Sequence, residues 1–264
     1  MDFTILYDKK RELFSIGYNL EEDSLGSSYY DLLASESRIA SFLAIARNEV
    51  STKHWFRLGR AMSNSYRGKS LVSWSGTMFE YLMPNLIMKD YDNTLLSLTY
   101  KSIIKAQMAF ARKKRVPWGI SESAYYHFDI AENYQYKAFG VPGIGLKRGL
   151  EDEIVVSPYS TIMALPIANG KAIENLRVLE KEGALRRYGF IEAIDFTQGR
   201  DNKILNEDIL YENEEENETK NTDEYKYNED YKNKKIHYDI VKTDKSKYKI
   251  RSNRKPVVCY MVHH

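Results

Sequence analysis

The chain has 264 residues, of which 43% are hydrophobic, and its 39 basic and 37 acidic side chains leave a formal charge of +2. This length suffices for one sizeable core or for part of a larger one. The nearly balanced charge argues against a nucleic-acid partner. One cysteine, Cys259, excludes an internal disulfide. No apolar run reaches the length of a signal-peptide core or a membrane span, so we expect no direct membrane insertion.

Helices dominate the first part of the chain. Residues 1–27 mix strand formers with turn residues and predict a short hairpin-like entry. A helix is expected over 28–47, because serine at its start is a good N-cap, and a second helix over about 52–64. A third helix, over 77–88, would be interrupted at Pro84.

The strongest helix signal covers residues 93–114. Asn93 or Thr94 can cap its start, and the sequence RKKR places cations at its end, where they favour the helix dipole. The following stretch, 115–150, is rich in Gly, Pro and Tyr, which suits neither a plain core nor a plain linker. Loops of this kind on a rigid scaffold often carry function.

Two further helices are expected over about 158–168 and 171–183, followed by a period-two pattern typical of strands. From 201 to 253 the composition shifts to Asn, Glu, Lys and Asp with few aliphatic residues. Such a segment cannot bury enough apolar surface to offset its ordering entropy, so we interpret it as a charged low-complexity insertion, with an extended hairpin arm as the alternative. Residues 254–264 then predict a terminal strand of the same domain as residues 1–200, and an apolar strand at this place indicates a truncated domain.

Glu36 is the first candidate for chemistry. It lies with Leu43 on the apolar stripe of its expected helix. A buried carboxylate is costly and its pKa should rise, which suits a proton donor. The structural alternative is an ion pair with Arg38, Arg57 or Arg60.

Glu122 is the second candidate, and it lies between Ser121 and Ser123. A polar, hydrogen-bonding environment should keep this carboxylate ionised. Two carboxylates in contrasting environments are what glycosidic cleavage needs, one as acid and one as base or nucleophile. Glu80 and Glu192 are rivals, since each is a polar residue among apolar ones that could bind sugar hydroxyls or support the fold.

No metal site and no cofactor are predicted. His263 and His264 are adjacent, and neighbouring side chains of a strand point to opposite faces, so they do not form a ligand pair. The high aromatic content, 21 Tyr, 10 Phe and 3 Trp, suits a sugar site instead, because a ring can stack on the apolar face of a pyranose. For any single ring, packing in the core is the alternative.

Several long segments match a known family in consistent order. They include YDKKRELFSIGYN, SSYYDLLASESRIASFLAIAR, LVSWSGTMFEYLMP, VPWGISESAY, NYQYKAFGVPGIGLKRGL and YMVHH. Over about residues 3–200 and 256–264 the chain resembles the glucoamylase-like domain of cyclic β-1,2-glucan synthases. The segment 201–253 and a missing Gln-Gly-Met run depart from that pattern.

The resemblance implies a mainly α fold, an α/α toroid with short β hairpins. About seven helices are expected here against about twelve in a toroid, so the barrel would be incomplete. The implied activity is retaining transglycosylation, in which a linear β-1,2-glucan is cleaved and its ends are rejoined; related proteins hydrolyse the glucan. A non-catalytic glucan-binding or scaffolding fragment of a split synthase is the alternative.

The family's catalytic glutamates carry over onto Glu36 in LLASES and Glu122 in GISESAY. The pKa argument favours Glu36 as acid/base and Glu122 as nucleophile. Matching motifs also supply candidate sugar platforms: Trp74, Trp118, Tyr125, Tyr134 and Tyr136. Glu80 and Glu192 complete the candidate substrate-binding residues, although we favour support roles for both. The implied partners are β-1,2-glucan or a related oligosaccharide and the other domains of a large synthase, with a cytoplasmic location at the inner membrane as part of that protein.

Overall fold

The computed structural model describes residues 2–65, 68–130, 133–200 and 255–257. The expected insertion over 201–253 lies outside the described residues, as do His263 and His264. Among the described helices, none combines the length and the apolar character that a membrane span requires.

Helices supply most of the regular structure in the described ranges. They are α1 Ser35–Ala46, α2 Lys53–Arg57, α3 Met78–Leu82, α4 Leu95–Lys114, α5 Pro158–Met163 and α6 Leu165–Lys181, with 3₁₀ turns at Thr4–Leu6 and Met83–Leu86.

Short strands lie between the helices and pair antiparallel. They are β1 Tyr7–Asp8, β2 Leu13–Phe14, β3 Tyr18–Asn19, β4 Ser24–Leu25, β5 Met62–Ser65, β6 Gly68–Leu71, β7 Ser123–Phe128, β8 Tyr134–Lys137, β9 Val155–Val156, β10 Leu185–Arg186, β11 Gly189–Phe190, β12 Ala193–Asp195 and β13 Lys255–Val257. Most form two-stranded hairpins, and β13, β12 and β9 form a three-stranded sheet in that order. The prediction of a mainly helical fold with short β hairpins is confirmed.

α4 is the central helix, and its predicted extent is confirmed. Thr94 Oγ1 accepts a hydrogen bond from the N–H of Ser97, and Arg115 ends the helix in the left-handed conformation. Its buried face includes Ile103, Ile104 and Phe110, which belong to the main hydrophobic core. Hairpin β5–β6 and helices α3 and α6 pack against it.

Some predicted helix boundaries are wrong. The sequence predicts that the last two helices divide between 168 and 171, whereas α5 ends at Met163 and α6 begins at Leu165. The first two helices differ as well. The first helix begins at Ser35, because Asp31 Oδ1 accepts the N–H groups of Leu33 and Ala34 and holds the preceding residues in a turn. The second helix ends at Arg57, and residues 62–65 pair with β6 instead of continuing it. In both places a local turn or a strand partner outweighs helix propensity.

Candidate functional site

The main chain of Glu122 is held firmly between helices. The Tyr159 hydroxyl, on α5, donates a hydrogen bond to the Glu122 carbonyl oxygen at 2.6 Å. The same hydroxyl shares a 2.8 Å hydrogen bond with Ser121 Oγ, which also accepts the N–H of Phe79 at the start of α3. The carboxyl of Glu122 therefore projects from a fixed point at the beginning of β7.

The Glu122 carboxyl is half-buried, and its pKa is raised to about 7 by burial first and then by the charges of Glu80 and Glu36. The expectation that flanking serines keep it ionised is therefore wrong. Neither serine hydroxyl bonds the carboxyl among the described residues: Ser121 Oγ is engaged with Phe79 and Tyr159, and Ser123 Oγ is buried without a partner. Burial without solvating hydroxyls favours the neutral form.

Glu36 occupies the first turn of α1 and is exposed, so the predicted burial on an apolar stripe is also wrong. The buried face of α1 consists of Ser35, Arg38, Ser41 and Ala44. Ser35 Oγ donates to Glu36 Oε2 at 2.7 Å. The helix thus presents this carboxylate outward at its N-terminus, where the dipole favours negative charge.

The three arginines considered as partners of Glu36 are engaged elsewhere. Arg38 is buried and donates to two main-chain carbonyl groups of α3. Arg57 pairs with Glu12 at 3.1 Å, and Arg60 donates to main-chain carbonyls near the end of α2. Among the described residues no ion pair involves Glu36, so its carboxylate remains available to a ligand.

Tyr136 shows that the acidic side chains share one region. It lies opposite Ala124 in the β7–β8 register, and Ala124 is two residues from Glu122 along the chain. Burial and then the charges of Glu122, Glu192 and Glu36 raise the pKa of the Tyr136 hydroxyl to about 12. The charges of Glu122, Glu192 and Glu36 thus all act on Tyr136, so these four side chains lie in the same region of the fold.

Glu192 immediately precedes β12 and is half-buried. Burial raises the pKa of its carboxyl, while a hydrogen bond from the Ala124 N–H lowers it. The neighbouring Asp195 accepts the N–H of Tyr126 at 3.2 Å, so β12 is tied to β7. The charge of Glu192 also acts on the Tyr136 hydroxyl, so the two side chains lie near each other.

Two of the predicted aromatic platforms present open rings. The exposed fractions of Trp74 and Tyr136 are 66% and 65%. Tyr125 is half-buried beneath the Arg200 guanidinium, which lies 4.6 Å from its ring centroid. Tyr134 is half-buried and packs against a phenylalanine ring at 4.5 Å.

The prediction that Trp118 is a sugar platform is wrong. This residue is only 5% exposed and belongs to the main core. The Asn175 side chain accepts its N–H and donates to its carbonyl at 3.1 and 2.7 Å. Because the ring is covered by the core, it has no face for a sugar.

The Glu80 carboxylate is occupied by its own chain. It accepts the N–H groups of Ser75 and Thr77, as a capping box at the start of α3. These contacts favour a supporting role over direct sugar binding. Sequence reasoning also missed Tyr159 as a support of Glu122; its place one residue after Pro158, at the start of a helix, was the available signal.

Comparison with known proteins gives consistent matches. A family profile described as "Putative glucoamylase" matches residues 28–215. The cyclic beta-(1,2)-glucan synthase NdvB of Rhizobium meliloti (strain 1021) is 44% identical over 200 residues, which are 76% of this chain and 7% of that protein. The chain therefore spans a small part of the length of this relative.

Solved structures show the same fold at low identity. An endo-beta-1,2-glucanase from Chitinophaga pinensis, in complex with sophorotriose and glucose, superposes with a TM-score of 0.55 and 13% identity over 75% of this chain and 50% of that one. Glucoamylase-like proteins from Bacteroides fragilis and Bacteroides caccae give TM-scores of 0.53 at 14% and 15% identity, over 75% of this chain and 49% and 50% of theirs. The chain spans about half the length of these structures.

Proposed function

Because the chain belongs to the glucoamylase family whose profile covers residues 28–215, we propose that it is a β-1,2-glucan-acting glycosidase or transglycosylase domain. The names of a 44% identical synthase and of a structurally similar glucanase support this substrate class. The observation that carries the proposal is the environment of the Glu122 carboxyl. This group is half-buried, and burial together with the charges of Glu80 and Glu36 raises its pKa to about 7.

The proposed chemistry is a double displacement on two carboxyl groups. Glu122 protonates the leaving glycosidic oxygen while the Glu36 carboxylate bonds to the anomeric carbon. Glu122, now ionised, then removes a proton from the incoming hydroxyl group as the bond from carbon to Glu36 breaks. A sugar hydroxyl of the same chain closes a ring, whereas water gives hydrolysis. These roles reverse the sequence-based assignment, because it is Glu122 that has the raised pKa.

We assign substrate contacts to exposed and half-buried side chains that the sequence predicted as sugar-binding. Trp74 and Tyr136 offer ring faces to pyranose units, and Glu192 can accept hydrogen bonds from sugar hydroxyls. Tyr125 and Tyr134 would contribute from half-buried positions beside them. No cofactor is required for this chemistry, because both proton transfer and covalent catalysis come from glutamates.

The proposed architecture is half of an α/α toroid. The matched region covers about half of each solved relative. This share supports the assignment of the region to half of a ring of helices. We propose that residues 1–200 and 254–264 form one domain interrupted by the insertion 201–253. The pairing of Ala193 with Val257 between β12 and β13 supports this division.

A second candidate is a non-catalytic glucan-binding or scaffolding part of a larger synthase. The observation that favours it is the small share, 7%, that the chain covers of its curated relative. In that case the partners would be other domains of the synthase, in the cytoplasm at the inner membrane.

Incubation with linear β-1,2-glucan separates these functions. Cyclic products lack one water relative to linear chains of equal length, so mass analysis distinguishes ring closure, hydrolysis and mere binding. Glu122→Gln is the inactive control and linear β-1,3-glucan the linkage control. Bound but unchanged glucan, both with this chain and with a chain extended to the length of its solved relatives, would contradict the enzymatic proposal.

A further inference from the structure

The turn that carries Trp74 is built around one carboxylate. Glu80 Oε2 accepts the hydroxyl of Ser73 at 2.7 Å and the N–H of Thr77 at 3.2 Å, and both its oxygens lie 3.1 Å from the N–H of Ser75. Thr77 Oγ1 in return accepts the N–H of Glu80. Donors on either side of Trp74 therefore converge on a single side chain.

The opposite side of this turn is closed by the 140–147 loop. The N–H of Lys147 donates to the Trp74 carbonyl at 2.9 Å. A Cβ atom added to Gly140 would lie 1.6 Å from the Ser75 carbonyl oxygen, so the two segments are in direct backbone contact. The main chain of Trp74 is thus fixed from both sides, while its ring remains exposed.

The same carboxylate lies close to the catalytic candidates. The N–H of Phe79, the residue before Glu80, donates to Ser121 Oγ at 3.0 Å, and Ser121 precedes Glu122. The charge of Glu80 is the largest charge effect among those that raise the pKa of Glu122. One side chain thus connects the Trp74 turn with the environment of Glu122.

We propose that Glu80 is a positioning residue, which holds the main chain of the turn that carries Trp74 and at the same time places a negative charge near Glu122. Glu80 would then act on a sugar ligand only indirectly. It fixes the turn that presents the Trp74 ring, and its negative charge helps the Glu122 carboxyl to keep its proton. The catalytic meaning of this role rests on the proposed function, whereas the positioning itself can be tested without turnover.

The position of Trp74 can be followed in the chain labelled with 5-fluorotryptophan. Trp74→Phe assigns the fluorine NMR signal of Trp74 among those of the three tryptophans. Glu80→Gln should shift or broaden this signal while the Trp118 signal stays in place, because an amide group turns one acceptor into a donor facing other donors. Ser73→Ala should also shift or broaden the Trp74 signal, but by less, because it removes only one of the hydrogen bonds to Glu80.

Glu12→Gln is the matched control, since it removes a carboxylate that pairs with Arg57 away from the turn. It should leave the Trp74 signal unchanged. If Glu80→Gln does not fold, Ser73→Ala serves alone, because it removes one hydroxyl and keeps the capping box. An unchanged Trp74 signal in every variant that folds would overturn the positioning role.

The charge effect is measured by carboxyl carbon-13 NMR titration of Glu122. Glu80→Gln should lower its apparent pKa by about half to one pH unit, whereas Glu80→Asp, which keeps the charge, should lower it less. An unchanged titration in Glu80→Gln would overturn the electrostatic part. Neither NMR readout needs glucan. The role of Glu80 can therefore be decided even if glucan turnover fails and the proposed function is rejected.

Discussion

At the scale of single residues, the proposed chemistry depends on the contrast between the environments of two glutamates. Glu122 is fixed through its main chain and half withdrawn from water, while Glu36 stands exposed at a helix N-terminus. A carboxyl with a pKa of about 7 can both give and take a proton near neutral pH. The proposed division of labour follows from this difference in environment.

Replacing either glutamate by glutamine should abolish turnover while sparing glucan binding. The amide keeps the shape of the side chain but provides neither a nucleophile nor a transferable proton. We expect Glu122→Gln to lower kcat by about 10²–10⁴-fold and Glu36→Gln by at least as much. Turnover of linear β-1,2-glucan and calorimetric binding would be measured together.

Azide separates the two roles. With an activated substrate, Glu36→Ala should yield a glycosyl azide of inverted configuration, because azide replaces the nucleophile. Glu122→Ala should yield one of retained configuration, because azide attacks the glycosyl-enzyme. The opposite pattern would restore the assignment expected from the sequence.

The raised pKa of Glu122 also predicts a pH-dependent stability cost. Near pH 4 and below, the carboxyl is mostly protonated in folded and unfolded chains alike and costs little. As pH rises from about 4.5 to 7, the unfolded chain loses its proton first, so the folded state binds more protons and its stability falls. Glu122→Gln should therefore gain stability over the unmodified chain as pH rises, by on the order of 1 kcal/mol at pH 8 after allowing for solvent screening.

Thermal unfolding of both proteins between pH 4.5 and 8 measures this effect. A difference in Tm that grows with pH is expected. A difference that stays constant across that range would contradict the raised pKa.

At the scale of elements, close backbone contacts join the turn that carries Trp74 to a distant loop. The Trp74 turn meets the 140–147 loop without room for a side chain at Gly140. By contrast, Gly170 lies within α6 with no atom within 4 Å of an added Cβ. Alanine substitutions at these two glycines can therefore be compared directly, one in a crowded position and one in open space.

Gly140→Ala should destabilise the fold by about 3 kcal/mol or more, because backbone must move to relieve the contact. Gly170→Ala should be neutral or stabilising by up to about 1 kcal/mol, because alanine is the better helix former. Urea denaturation of both variants tests the comparison. Equal midpoints would show that the turn and the loop are not in contact in solution.

At the scale of the whole molecule, the sheet formed by β9, β12 and β13 supports the proposal that one domain is interrupted by a charged segment. The register pairs Asp195 with Lys255, so the two ends of the interruption enter the sheet side by side. A short linker can therefore connect β12 to β13 in place of the long segment, and the entropy of loop closure changes only modestly.

Replacing residues 201–254 by a short Gly/Ser linker should change Tm by no more than a few degrees. The segment carries few aliphatic residues, so little apolar burial is lost with it. Calorimetry of the shortened chain provides the measurement, with the unmodified chain as reference. A cooperative loss of the folded state would show that the segment packs on the domain.

The sequence by itself determined α4, with its Thr94 cap and cationic end, the mainly helical class and the family resemblance, because helix signals and motifs reside in neighbouring residues. Only the tertiary structure decided which face of α1 is buried. The buried face carries Arg38 and Ser41, which bond Tyr100 and His54, residues 62 and 13 positions away.

The tertiary structure also decided the environment of Glu122, which no neighbour in the sequence predicts. Its pKa depends on burial and on the charges of Glu80 and Glu36, which the fold brings from 42 and 86 positions away. Burial and electrostatic partners are set by which segments pack together, and that packing involves residues far apart along the chain. For this reason the sequence identified both carboxylates but assigned their environments the wrong way round.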